Sequence, residues 1–371
     1  MKLTITGQDG FIGYHLYNTI KFQNPEIEII DFNKDFFETD QKIDKVIKEV
    51  DVIVHLAGLN RSDNQDFLYN ENLLLSNKIV ESIKRVDFNG RLIFASSIQE
   101  DLNNAYGRGK KDSRELFSNE SKESNFSFIG LIIPNVFGPF CKPNYNSFIS
   151  TFCSNIILGK KNVLIQDNEV PLIYIDNLIK EIINVIKGKG VNSKKVINED
   201  LSVKVSDVNN IIQNYNEVYF ENGEIPTLNT SFKKHLFNTF NSFIPLESHY
   251  PKSLDLKKDS RGDFSEVIRS NILGQFSYSI TQPGELRGNH FHTRKIERFV
   301  VIQGSALIEI RKIGLDKKIT YNLNGETPCY VDMPIWHTHN IKNVGETPLI
   351  TLFWINEFYN EDDSDTFFEK V

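Results

Sequence analysis

Residues 287–304 read RGNHFHTRKIERFVVIQG, with His290 and His292 two apart and Glu297 five residues further on. On a β-strand, positions i and i+2 point to one face, so both imidazoles can aim into a single interior and Glu297 on a returning strand can join them. Imidazole nitrogen with carboxylate oxygen suits a borderline divalent ion such as zinc, provided a fourth ligand comes from elsewhere. PIWHTH, residues 334–339, offers one twice, because His337 and His339 repeat the two-residue spacing. Four of the eight histidines fall in these two pairs, which favours a joint ligand role over inward histidines satisfied singly by hydrogen bonds.

A second run, NNAYGRGKKDSREL (103–116), starts a helix on which Tyr106 and Lys110 are four apart and share a face. Reducing a ketone needs a proton donor at the carbonyl oxygen, and a tyrosine serves at neutral pH when a neighbouring cation lowers its pKa. Lys110 is placed to do that. The apolar strand FASSIQ (94–99) ends in Ser96 and Ser97, either of which can hydrogen-bond the ketone. Gly7, Gly10 and Gly13 give a third pattern directly after the strand KLTIT. Their spacing permits a tight turn, a close backbone approach to a pyrophosphate, and a helix whose N-terminus faces the phosphates. Asp31, at the end of the next strand, can bond a ribose 2′-hydroxyl as in NAD, while Lys34 can neutralise a 2′-phosphate as in NADP.

These residues need two different scaffolds. KLTIT, GQDGFIGYHLYNTI, EIEIID and VDVIVHLAG alternate strand and helix, which predicts right-handed βαβ units and a doubly wound parallel sheet of Rossmann type, an α/β domain over residues 1–245. Residues 219–253 turn polar, with three prolines and one amphipathic helix, so the domain boundary is placed at 245–252. From 252 to 371 the runs FSEVIRS, GQFSYSITQ, ERFVVIQGSALIEIRK, KITYNLN, PCYVDM, HNIKNV and PLITLFWINEF are short, alternating and turn-separated. That predicts an all-β domain, closed or built of two sheets as a jelly roll. The acidic run EDDSD near the end reads as a solvated turn.

The chain of 371 residues is long enough for two cores. It has no stretch of 18 apolar residues and no basic-then-apolar leader, which predicts a cytoplasmic protein without membrane insertion. Cys141, Cys153 and Cys329 form no CxxC pair and read as buried thiols. A net charge of −7 speaks against broad nucleic-acid binding, so an anionic substrate must be held by local cations. Arg287, Arg294, Lys295, Arg298, Arg311 and Lys312 are the supply in the β-rich half.

Residues 1 to about 243 resemble the extended short-chain dehydrogenase/reductases that act on nucleotide sugars. GxxGFIG, HLAG (55–58), Asn72, the serine-ended strand, YxxxK, PNVFGP (134–139) and YIDNL (174–178) stand in that family's order. The resemblance implies that Tyr106 is the acid, that Lys110 also holds the cofactor ribose, and that Ser97 or Ser96 meets the ketone. It places Phe11, Ile12, Leu56 and Ala57 at the cofactor and Asn135 at the substrate. The segment EDLNNA between the serines and Tyr106 departs from the family pattern. The β-rich half resembles the cupins: Gly284, His290, His292, Glu297 and Gly304 match their first motif, and Pro334, His339 and Asn343 their second, with Trp336 where a glycine is usual. LRGNHFH also resembles the RGxH segment of cupin-type nucleotide-sugar epimerases, in which an arginine, here Arg287, binds substrate and a histidine takes a proton from carbon. A His290 that ligates metal cannot also be that base.

A nucleotide-linked 4-keto hexose satisfies both halves, since its ketone acidifies the adjacent C–H and accepts hydride. Epimerisation then precedes reduction, which removes the acidifying carbonyl. Including HLAGLNR, CKPNYNSF and LFWINEF, the whole chain resembles the bifunctional enzymes of capsular polysaccharide synthesis. That resemblance implies NADPH, zinc, a UDP-linked 4-keto amino sugar as substrate, UDP-2-acetamido-2,6-dideoxy-L-talose as product, and a homodimer.

Overall fold

The computed structural model describes residues 1–145, 147–260, 262–270 and 274–371, so Asn146 of the CKPNYNSF run lies outside the described residues. Internal contacts divide the chain into two units, Met1–Phe152 with Val163–Val208, and Cys153–Asn162 with Asn209–Val371.

The first unit begins β1 (Lys2–Thr6), α1 (Phe11–Gln23), β2 (Glu28–Ile30), α2 (Asp40–Glu49), β3 (Val52–His55), α3 (Gln65–Val86), β4 (Arg91–Ser97), α4 (Ala105–Glu123) and β5 (Ser127–Ile133). It continues through β6 (Asn135–Phe137), α5 (Phe148–Ile157), β7 (Glu169–Tyr174), α6 (Ile175–Lys187), β8 (Asn192–Val196), β9 (Leu201–Lys204) and α7 (Val205–Tyr215), of which α5 and α7 straddle the division. A six-stranded parallel sheet has the order β2-β1-β3-β4-β5-β8. Its inner strands are almost wholly apolar and buried, because α2, α3 and α4 form one helical layer and α1 with α6 another. β2 and β3 leave β1 on opposite sides, which opens a crevice at the carboxyl ends of β1 and β3 where the glycine turn lies. The doubly wound α/β expectation is met.

In the second unit α8 (Ser231–Asn241) and α9 (Leu246–His249) precede β10 (Lys252–Ser253), β11 (Lys257–Asp259), β12 (Gly262–Phe264), β13 (Gln275–Thr281), β14 (Leu286–Phe291) and β15 (Glu297–Gln303). Then come β16 (Ser305–Lys312), β17 (Lys318–Asn324), β18 (Cys329–Met333), β19 (His337–Asn343), β20 (Leu349–Ile355) and β21 (Phe367–Phe368). Two antiparallel five-stranded sheets result, β10-β18-β15-β20-β13 and β17-β16-β19-β14-β21, as the alternating pattern predicts. FSEVIRS differs: only Phe264 is in a strand, and beyond it the one ladder contact is the Ile225–Ser270 bridge. Cys329 is half-buried, whereas Cys141 and Cys153 are buried as expected.

A buried polar network joins the helical lead-in to these sheets. Arg298 on β15 donates to both carboxylate oxygens of Asp332 on β18 at 2.7 and 2.8 Å and to the Gly223 carbonyl at 2.8 Å. The Tyr219 and Tyr250 hydroxyls also donate to Asp332. Each charge is thereby paired and hydrogen-bonded, which is what makes its burial tolerable. Residues 209–249 accordingly group with the β-rich unit, ahead of the 245–252 boundary read from composition. No helix among the described residues is long and apolar enough to cross a membrane.

Candidate active site and metal centre

At the end of β1 the chain turns through Gly7 at φ +76°, where an added Cβ would lie 2.9 Å from the Ala57 nitrogen, so no side chain fits. A Cβ on Gly13 would lie 2.1 Å from the Gly7 carbonyl oxygen, so only glycine lets α1 pack so tightly on the turn. Gly10 caps α1, whose first turn contains Phe11 and Ile12, both half-buried, and no acidic residue. Its free N–H groups suit an anion. Leu56 and Ala57 are held opposite by bonds from their nitrogens to the Thr6 carbonyl and hydroxyl at 3.1 and 3.2 Å. Gln8 accepts from the Phe32 N–H at 3.0 Å, tying the turn to the end of β2, where Asp31 and Lys34 are exposed. This cradle fits the phosphates of a dinucleotide.

Tyr106 and Lys110 lie on the first two turns of α4, with Nζ 5.9 Å from the phenol ring centroid. Nζ donates to the Ala95 carbonyl at 2.9 Å, which anchors the helix face to β4. Burial brings Lys110 down to about 8, against the opposing pull of Glu100. The phenol differs from expectation: burial, and then the nearby Tyr145, push Tyr106 up rather than down. The group therefore holds its proton at neutral pH, as a donor must.

The two serines have different surroundings. The buried Ser96 hydroxyl donates to Glu100, whose carboxylate is gripped by Arg114 Nε at 2.7 and 3.1 Å. Ser97, half-buried, accepts only the Gln99 N–H at 3.2 Å among its described bonds. EDLNNA thus starts within a short helical turn, Ile98–Asp101, that puts Glu100 under Ser96. Nearby, Asn72 bonds both backbone groups of Leu59 at 2.7 and 2.9 Å, and the Asn60 N–H donates to the Tyr145 hydroxyl at 3.1 Å. Asn135 opens β6 and donates to the Pro171 carbonyl at 3.2 Å.

In the β-rich unit, His290, His292, Glu297 and His339 each present a ligand atom, all within 4.8 Å of one another. The bulge at Gly288 and Asn289, with φ of +101° and +58°, shifts the β14–β19 register so that His290 lies opposite His339. Glu297 Oε2 is 3.3 Å from His292 Nε2 and 3.0 Å from His339 Nε2, yet none of these three buried atoms has a well-formed hydrogen bond. Orphaned lone pairs converging on one point fit a metal ion. The other ring nitrogens are occupied: His292 Nδ1 donates to the Asp365 carbonyl at 2.6 Å and His339 Nδ1 to that of His337 at 3.2 Å, which leaves Nε2 free to ligate. Burial, ahead of any other cause, brings His290 down to about 4, leaving its ring neutral.

His337 stands outside this group and donates Nδ1 to the Ile335 carbonyl, so of the two expected fourth ligands His339 alone joins. Trp336, which stands where the sequence pattern usually has glycine, lies at φ +58°, with its indole buried and stacked on Phe291 at 5.5 Å. The centre opens into a cavity of about 360 Å³ whose lining includes Arg287, Lys295, Phe299 and Tyr359. Of the expected cations, Arg294 pairs with Glu357 and Asp363, Arg311 with Glu369 and Arg298 with Asp332. The sequence reading had given no role to Glu100, Arg114, Tyr145 or Asp365. Arg114 carried a signal, since it continues the i, i+4 face of Tyr106 and Lys110, whereas Asp365 sat unmarked in an acidic run.

A dinucleotide cradle with a Tyr–Lys helix, joined to a double-sheet unit holding three histidines and a glutamate, defines a two-part enzyme of the nucleotide-sugar epimerase and reductase class. Residues 3–198 match the NAD dependent epimerase/dehydratase family and residues 257–367 the polysaccharide biosynthesis C-terminal domain. The chain is 30% identical, over 99% of its length and 98% of the relative's, to UDP-2-acetamido-2,6-beta-L-arabino-hexul-4-ose reductase of Pseudomonas aeruginosa. The crystal structure of the capsular polysaccharide assembling protein CapF from Staphylococcus aureus aligns over 100% of both chains, with a TM-score of 0.63 and 29% identity. RMD from Pseudomonas aeruginosa, solved with NADPH, aligns over 66% of this chain with a TM-score of 0.56 at 14% identity, a likeness of fold. The chain belongs to the NAD dependent epimerase/dehydratase family.

Proposed function

We propose that the protein is a bifunctional nucleotide-sugar enzyme of capsular polysaccharide synthesis. Its cupin part, within residues 252–371, epimerises a UDP-2-acetamido-2,6-dideoxy-4-keto-hexose at C3, next to the ketone. Its reductase part, within residues 1–245, then reduces the C4 ketone to give UDP-2-acetamido-2,6-dideoxy-L-talose. The observation that carries the reading is the presence of two separate sites in one chain, of which one suits hydride chemistry and the other enolate chemistry. Full-length similarity to a keto-sugar-nucleotide reductase supports it.

In the reductase part, the cradle of Gly7, Gly10, Phe11, Ile12, Gly13, Leu56 and Ala57 holds the cofactor, with Asp31 and Lys34 at its ribose end. NADPH supplies hydride when bound. Tyr106 donates the proton to the ketone oxygen, Ser97 bonds that oxygen because Ser96 is committed to Glu100, and Lys110 positions the ribose. Asn135 meets the substrate. In the cupin part, His290, His292, Glu297 and His339 would hold zinc, which would supply Lewis-acid chemistry there. Arg287 holds the substrate. Lys295 and Tyr359 also line the cavity beside these ligands. We propose a cytoplasmic homodimer.

The test is incubation of the full chain with the 4-keto sugar nucleotide in deuterated buffer. Deuterium should enter next to the ketone without NADPH, and reduced sugar should appear only with it. Exchange that requires NADPH and an intact Tyr106 would make the cupin part a binding module.

A further inference from the structure

The C-terminal EDDSD run reads in sequence as a solvated turn, yet Asp365 is only 5% exposed. Its carboxylate accepts four hydrogen bonds: from the Thr293 N–H at 3.1 Å, the Thr293 hydroxyl at 2.6 Å, the Arg294 N–H at 3.0 Å and the Lys295 N–H at 3.1 Å. Its main-chain carbonyl accepts from His292 Nδ1 at 2.6 Å. We propose that Asp365 is the positioning residue of the His290–His292–Glu297–His339 centre, acting through a C-terminal strap, Ser364–Val371. The inference rests on the metal reading above.

Residues 293–296 must carry the chain from His292 to Glu297, and three successive N–H groups of that loop converge on one carboxylate. Their convergence fixes the span between two ligands. The bond from His292 places the Nδ1 proton and turns the Nε2 lone pair toward Glu297. One residue thus sets a ligand's tautomer, its ring orientation and its distance from the next ligand, which is the office of an outer partner at a metal site. Asp365 adopts φ +45°, a conformation few residues other than glycine, asparagine and aspartate take readily.

The rest of the strap holds Asp365 in place. Phe367 and Phe368 pair with Phe291 and His290 as β21 beside β14. The Glu369 N–H donates to the Asn289 carbonyl at 3.0 Å, and the Thr338 hydroxyl donates to the Glu369 carbonyl. Lys295 Nζ reaches the Ser364 carbonyl at 2.7 Å. These contacts fall on strands or loops that bear a ligand, and the Arg311–Glu369 ion pair ties the strap to β16 as well. A tail that only covered apolar surface would not need a buried carboxylate, because burying a charge is costly unless it is fully hydrogen-bonded.

The experiment is zinc titration of the full chain against a chromophoric chelator, together with the visible spectrum of the cobalt-loaded protein. Asp365→Asn puts an N–H where an acceptor faces backbone N–H groups. Zinc affinity should fall about 10–100-fold and the cobalt bands should change shape. Asp362→Ala, an exposed position of the same run, should keep the wild-type values. Should Asp365→Asn fail to fold, Thr293→Val removes one bond of the cap and should give a smaller loss in the same direction. Wild-type affinity and spectrum in whichever variant folds overturn the strap. A wild-type chain that takes up no zinc overturns the metal reading and the strap with it, and that outcome needs no variant to recognise.

Discussion

The Glu100 carboxylate lies 2.7 Å from Nε of Arg114, and both side chains are buried where β4 gives way to α4. Arg114 shares its helix face with Tyr106 and Lys110, while Glu100 takes the Ser96 hydroxyl, so one ion pair fastens the Tyr106-bearing helix to the serine-ended strand. Glu100→Gln keeps the volume and removes the charge. Breaking one partner of a buried pair costs on the order of 3–5 kcal/mol, so the melting temperature should fall. In steady-state assays below that temperature, kcat for ketone reduction should drop about tenfold or more with KM little changed, as for a misplaced acid. Deuterium exchange by the cupin part should be untouched; a parallel loss of both activities would mean general unfolding instead.

Tyr106→Phe removes one hydroxyl and leaves the fold and the glycine cradle in place. Reduction, followed by NADPH absorbance, should slow by roughly 10²–10⁴-fold, the usual worth of a general acid. Cofactor binding measured by fluorescence should persist. Near-normal turnover would remove Tyr106 from the reaction.

The four-ligand cluster predicts about one zinc per chain, since its ligand atoms converge on a single site. Elemental analysis of protein purified without chelator checks the count, and iron in its place would sink the zinc assignment. His292→Ala and Glu297→Ala should abolish stoichiometric binding. Both should lower the melting temperature of the β-rich unit more than that of the α/β unit, because metal binding contributes folding energy where it closes the site.

Burial lowers Lys110 from 10.5 to about 8, so its charge is held at a cost in the folded protein. Below about 8 the lysine is protonated folded and unfolded, and the cost is constant. Between about 8 and 10.5 the unfolded chain binds more protons, so this group's contribution to stability rises with pH. Lys110→Met lacks the titration. The stability difference between the variant and the wild type, read by denaturant melts from pH 7 to 10.5, should therefore shift in favour of the wild type as pH rises. A difference that stays flat across this window would show that Lys110 does not titrate there.

Local spacing carried much of the site. Gly7, Gly10 and Gly13 could be read because a phosphate turn is made by consecutive backbone, and Tyr106 with Lys110 because a helix brings i and i+4 together whatever surrounds it. His290 and His292 were legible by the same logic on a strand. What joins distant segments was not. Family spacing favoured His339 with His337 nearly as good a candidate, and the placement of β19 against β14, shifted by the bulge at Gly288 and Asn289, brought His339 to Glu297 and left His337 outside. Ser96 and Ser97 were equivalent as neighbours on a strand until Arg114 brought Glu100 beneath one of them. The YxxxK spacing points to a phenol that titrates low beside a cation, but burial, a property of the packed surroundings, and then Tyr145 push Tyr106 up. Asp365 was the extreme case: an aspartate in an acidic run has no local mark of burial, and its partners lie some seventy residues earlier. The sequence by itself determined the two fold classes, the glycine cradle and the pool of reactive side chains, because each depends on periodicity within one element. Tertiary structure alone decided which members of that pool meet, because hydrogen bonds and ligand sets are satisfied in space, between elements whose register no single stretch of sequence records.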